Sequence, residues 1–108
     1  MSFEVLTTSY FKRDSKPLLK KYKSLKAEVL DLIASLEEEP TQGTPLGDDC
    51  YKIRLAIKSK GKGKSGGARG ITCVKITDNF VYLLTIYSKS EKDNISDKEL
   101  QELLKGLE

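Results

Sequence analysis

Residues 51–58 read YKIRLAIK, and the alternation within those eight decides how the rest of the chain must be arranged. Tyr51, Ile53, Leu55 and Ile57 alternate with Lys52, Arg54, Ala56 and Lys58, the period-two pattern of a strand that turns one face to a core and the other away from it. Two more strands follow. RGITCVKI (69–76) and FVYLLTIY (80–87) are rich in β-branched and aromatic residues, and the short turn TDN between them predicts an antiparallel hairpin.

Upstream, residues 3–7 alternate loosely and read as a first strand, and residues 10–36 then turn helical. Leu18, Leu19 and Tyr22 mark one apolar face, while Leu25, Val29, Leu32, Ile33 and Leu36 mark a second. Pro17 belongs near a helix start or at a kink, because an interior proline lacks a backbone donor. Ser24 is placed to cap the second helix. TQGTPLGDD (41–49) reads as a polar, turn-rich connection. SDKELQELLKGL (96–107) opens with Ser96 and has Glu99 three residues on, a capping box, and carries Leu100, Leu103, Leu104 and Leu107 on one face. The resulting order is β-α-α-β-β-β-α: an α+β fold, a mainly antiparallel twisted sheet with the helices on one side, the two N-terminal helices packed on that face. One domain spanning 1–108 is expected from the length.

Charge is segregated along the chain. Residues 1–49 hold seven bases and nine acids, residues 50–77 eight bases and no acid, and residues 78–108 four bases and seven acids. An unmixed cationic block suggests a polyanionic partner, nucleic acid ahead of membrane because no apolar helix accompanies it. No run of eighteen apolar residues occurs and MSFEVLTTSY is unlike a leader segment, so a cytoplasmic protein is expected. Cys50 and Cys73 lack a CxxC partner, and the chain has no histidine. A zinc site is therefore excluded, no cofactor is expected, and both cysteines read as small buried hydrophobes without a disulfide in a reducing compartment.

The stretch SKGKGKSGGARGI (59–71) packs four bases and five glycines into thirteen positions between two predicted strands. Its glycines let a loop shape itself around a ligand backbone. It does not satisfy the spacing of a Walker loop. Together with PTQGTPLGDDCYKIRLAI (40–57) and LLTIYSKSEKDNISDKEL (83–100), it resembles the RelE/ParE superfamily of bacterial type II toxins, closest to the RelE-like HigB branch. The resemblance implies a toxin that enters the ribosomal A site, cuts the messenger RNA there, and is neutralised by a cognate antitoxin with a helix-turn-helix DNA-binding domain. Gly70 departs from the family, where a β-branched residue usually follows the arginine, and this bears on local strand order and on the aim of Arg69.

RNA cleavage by internal attack needs a base at the ribose 2′-hydroxyl, cationic donors around the phosphorane and a proton for the leaving 5′-oxygen. Without histidine, lysine, tyrosine or the ribosomal setting must supply them, which suits an enzyme that works by positioning. By strand parity Arg69 shares the uncovered sheet face with Lys52 and Arg54 and is the candidate phosphate clamp. Tyr87, counted onto one face with Leu83 and Thr85 and away from Tyr82, Leu84 and Ile86, can stack on a base or touch the 2′-hydroxyl. Lys89 is a candidate proton donor; Lys58, Lys60, Lys62, Lys64 and Lys92 are candidate sequence-neutral contacts to phosphate. Two other functions fit the same outline: a ParE-like gyrase poison that cuts no RNA, and a non-catalytic RNA-binding module. The loop and the YSKSEK segment favour the nuclease.

Overall fold

The computed structural model describes residues 2–61, 63, 66–92 and 94–107. Its elements are β1 (Glu4–Thr7), α1 (Ser9–Lys21), α2 (Leu25–Glu38), β2 (Thr44–Gly47), β3 (Cys50–Leu55), β4 (Ala68–Lys75), β5 (Phe80–Ser88) and α3 (Asp97–Lys105), with 3-10 turns at Lys58–Lys60 and Ile76–Asp78. The expected order therefore holds with one strand added. The sheet runs β1-β5-β4-β3-β2, parallel between β1 and β5 and antiparallel elsewhere.

Alternation along β3 fixes which face is which. Ile53, Leu55 and Ile57 join the main core with Phe11 and Leu18 of α1 and with Leu25, Val29, Leu32 and Leu36 of α2. The 4-3-4 spacing of the α2 positions lays one stripe along that helix. Leu19 turns out to be exposed, so the α1 stripe runs through Phe11, Ser15 and Leu18 instead. Pro17 sits inside α1 with its ring in solvent, and Ser24 is the α2 N-cap without a side-chain cap bond; its hydroxyl goes to Glu28 at 3.0 Å.

The helices do not all lie on one side, and this corrects the expectation from sequence. Leu100 and Leu103 of α3 pack on the opposite sheet face, in a second cluster with Cys50, Ile71, Cys73, Leu84 and Tyr87. The periodicity of an amphipathic helix says which of its own faces is buried, not which face of a sheet it covers. The capping box forms as read: the Glu99 N–H donates to Ser96 Oγ at 3.1 Å, and the Ser96 N–H donates to Glu99 Oε1 at 3.2 Å.

A β-bulge in β5 is the feature that most affects the site. Ile71 pairs with Thr85 but Thr72 pairs with Leu83, which leaves Leu84 as an extra residue. Leu83 faces α1 and α2; Leu84 and Thr85 both turn to the α3 side; Ile86 returns to the main core and Tyr87 turns to the α3 side again. The bulge is held from outside the β4 ladder. Thr8 Oγ1 donates to the carbonyls of Leu83 at 3.0 Å and Leu84 at 3.2 Å while accepting the Phe11 N–H at 3.1 Å, so the residue that caps α1 also pins the bulge.

Candidate nucleic-acid interface

Three strands bring the central residues together. Arg54 pairs with Arg69, and Arg69 pairs with Tyr87, so β3, β4 and β5 set these side chains in one row on the α3 side of the sheet. Neighbouring strands lie about 4.8 Å apart. The next row places Lys52 opposite Ile71, with its ammonium donating to Asn94 Oδ1 at 2.7 Å. Like charges directly opposite on adjacent strands weaken a sheet, so the Arg54–Arg69 pair is not there for stability.

Tyr87 reaches this row by a different route from the one counted along the sequence. Uninterrupted alternation puts it with Leu83, which faces α1 and α2. The extra residue Leu84 reverses the parity and brings Tyr87 round to Arg69. Gly70 leaves the strand order intact. β4 runs unbroken through it, and a Cβ there would meet only the side chains of Leu55 at 3.5 Å and Leu32 at 3.8 Å, on the face away from Arg69.

At Arg69 and Tyr87 the face is covered rather than uncovered, a second correction, while Arg54 stays exposed and Lys52 half-buried. Arg69 is 2% exposed and Tyr87 6%. The Lys92 ammonium lies 4.9 Å from the centre of the Tyr87 ring and pairs with the Glu99 carboxylate of α3. Lys92, with the Ser96 backbone N–H, holds Glu99 below the ordinary carboxylate range. Arg69 Nη1 donates to the Ala68 carbonyl at 3.1 Å, which fixes the head of a long side chain close to its own strand.

The remaining lysines divide. Lys89 is exposed just beyond β5, and its N–H donates to the Gly67 carbonyl at 3.0 Å. Lys58 and Lys60 leave the sheet in a 3-10 turn: the Lys58 N–H donates to Glu28 Oε2 at 2.8 Å, and the Lys60 ammonium donates to Ser88 and Ser90 hydroxyls at 3.2 Å each and lies 5.4 Å from the Tyr22 ring centre. These contacts put Lys58 and Lys60 by the α1–α2 junction, with the Lys60 ammonium reaching the end of β5 at Ser88, the residue after Tyr87. Lys62 and Lys64 lie outside the described residues.

Beside Tyr87 runs a groove of about 550 Å³ between α1 and α3, a feature with no local signature in the residues that line it. Tyr10, Arg13 and Asp14 stand in its α1 wall with Pro17, Leu18 and Lys21. The Arg13 guanidinium stands 4.9 Å from the Tyr10 ring centre and donates to Asp14 Oδ1 at 2.9 Å, while the Thr85 hydroxyl donates to Asp14 Oδ2. An (i, i+3) relation between Tyr10 and Arg13 was visible in the sequence, but its position beside Tyr87 depends on the bulge. Among the described residues no group of histidine, cysteine or acidic side chains could hold a metal, and no helix is long and apolar enough to cross a membrane.

A solved structure of E. coli toxin RelE, an arginine-substituted mutant in the free state, is similar to this chain over 97% of each chain, with a TM-score of 0.64 and 18% identity. Likeness at that identity speaks for the fold. The sequence itself matches the family model described as the RelE toxin of the RelE/RelB toxin–antitoxin system across residues 4–106. That match spans every element described above, from β1 through α3, and the chain belongs to the RelE toxin family.

Proposed function

We propose that this toxin is a ribosome-dependent, metal-independent endoribonuclease of the HigB-like branch, one domain over residues 1–108, that cuts messenger RNA in the A site and is held in check by a RelB-type antitoxin. The observation that carries the reading is the register row Arg54–Arg69–Tyr87, in which two guanidinium groups from a segment of eight bases and no acid stand beside a phenol from β5. Arg69 clamps the scissile phosphate, with Arg54 and Lys52 as flanking donors whose value rises as the phosphorane gains charge. Tyr87 lies against the ribose and base, and Lys89 delivers a proton to the leaving 5′-oxygen. Lys92 contributes grip, and message binding exchanges its Glu99 partner for phosphate. Lys58, Lys60, Lys62 and Lys64 hold backbone farther from the cut.

Cleavage on programmed ribosomes at saturating toxin tests the reading. The wild-type chain cuts message on the ribosome and leaves the same RNA intact when naked. Efficient cutting of naked RNA, or none on the ribosome, removes the proposal.

A further inference from the structure

Cys50 and Cys73 are far apart in the chain, yet the register of β3 on β4 makes them direct partners. The Val74 N–H donates to the Asp49 carbonyl at 2.9 Å. A bond between the residues just outside a facing pair marks that pair as non-hydrogen-bonded, the kind in which the two Cα atoms approach to about 4.5 Å. A disulfide spans Cα separations of about 4.4–6.8 Å, so the backbone already has the spacing the bond needs. Both side chains turn to the α3 side, each 1% exposed, in the cluster that holds Leu100 and Leu103. They also share an acceptor, the Asp48 carbonyl, 3.4 Å from Cys50 Sγ and 4.0 Å from Cys73 Sγ. Gly47, Asp48 and Asp49 all have positive φ, so the β2–β3 turn that carries this carbonyl is tight. No third cysteine exists in the chain to compete.

We propose that Cys50 and Cys73 are a peroxide-responsive dithiol that closes to an intrachain disulfide and staples β3 to β4 at the end of the hairpin opposite the basic loop. The proposal does not depend on what the arginine row does. The chemistry needs only hydrogen peroxide, small enough to reach a buried sulfur. The Cys73 thiolate attacks one peroxide oxygen; the O–O bond breaks, and the departing hydroxide takes a proton to become water, leaving a sulfenic acid. The Cys50 sulfur, losing its proton, displaces that hydroxyl as a second water and the S–S bond forms. Two electrons pass from the thiols to the peroxide. The pair is polarised for this order of events: a hydrogen bond from Cys50 lowers the Cys73 thiol to about 7 against the opposing effect of burial, with help from Lys75, and raises Cys50 in turn.

The test uses the folded full chain at 25 °C with hydrogen peroxide. Intact mass falls by two hydrogens, peptide mapping joins the Cys50 and Cys73 peptides, and the melting temperature rises by about 15 °C, since the staple closes a loop of roughly twenty residues. Dithiothreitol reverses all three changes. Cys50→Ala and Cys73→Ala each abolish the mass loss. The proposal is overturned if peroxide adds oxygen instead of removing hydrogen, if the product is a cross-linked dimer, or if the thiols of the folded chain stay unreacted under conditions that oxidise the same chain in urea.

Discussion

Thr8→Val keeps the shape of a side chain and removes its one hydroxyl, and that hydroxyl serves two elements at once. It accepts the Phe11 N–H at the start of α1, and it donates toward the Leu83 and Leu84 carbonyls at the bulge. Losing an N-cap of this kind costs about 1 kcal/mol. The single proton shared between the two carbonyls is worth about another 1 kcal/mol. The sum, about 2 kcal/mol, corresponds to a fall in melting temperature on the order of 10 °C for a chain of this size. Urea titration with an unchanged slope measures it, and Thr8→Ser, which restores the hydroxyl, recovers most of the loss. Message cleavage supplies the second half of the test. If the bulge sets the aim of Tyr87, cleavage per folded molecule drops in Thr8→Val and returns in Thr8→Ser. A loss of stability below about 0.5 kcal/mol in Thr8→Val would refute the account of how the bulge is held.

Arg69→Ala lowers ribosomal cleavage about a hundredfold, on the order of 3 kcal/mol of lost transition-state stabilisation, with circular dichroism confirming a folded variant; near-normal cutting would take Arg69 out of the site. Gly70→Ala raises stability by about 1 kcal/mol in urea titration, since its new methyl meets Leu55 and Leu32 at ordinary contact distance. Gly67→Ala does the reverse in the same assay, because its Cβ would stand 2.0 Å from the Leu55 carbonyl oxygen. Glu99 is held below its ordinary value of 4.5 by Lys92 and the Ser96 N–H, so its contribution is full above about pH 4.5 and is lost as pH falls through the lowered value. Glu99→Gln therefore flattens the acid side of the stability profile, and an unchanged profile would show that the Lys92–Glu99 pair contributes nothing.

Where a strand alternated without interruption, the sequence was enough. YKIRLAIK gave the correct face for Ile53, Leu55, Lys52 and Arg54 because no residue is inserted into β3. Counting failed at Tyr87, since the extra residue Leu84 looks like any other leucine in an apolar run; Tyr87 belongs beside Arg69, but not for the reason parity suggested. The edge strand β2 was read as a turn because TPLG has a proline and a glycine and few strand formers, and its pairing comes from β3 rather than from propensity. The cover over Arg69 and the pairing of the two cysteines are products of tertiary register. Neither leaves a local trace in the residues themselves.

The parallel pairing of β1 with β5 has a consequence for synthesis. Glu4 is hydrogen-bonded beside Phe80, 76 residues later in the chain, and β5 occupies the sheet position between β1 and β4. Until β5 has been made, the first strand has no partner and Arg69 has no neighbour at Tyr87. Contacts of such long sequence separation form late, and a nascent chain acquires them only when β5 is free to fold. A ribosome translating this message thus carries an unfinished sheet until β5 has left it. The row of Arg54, Arg69 and Tyr87 assembles only after that point.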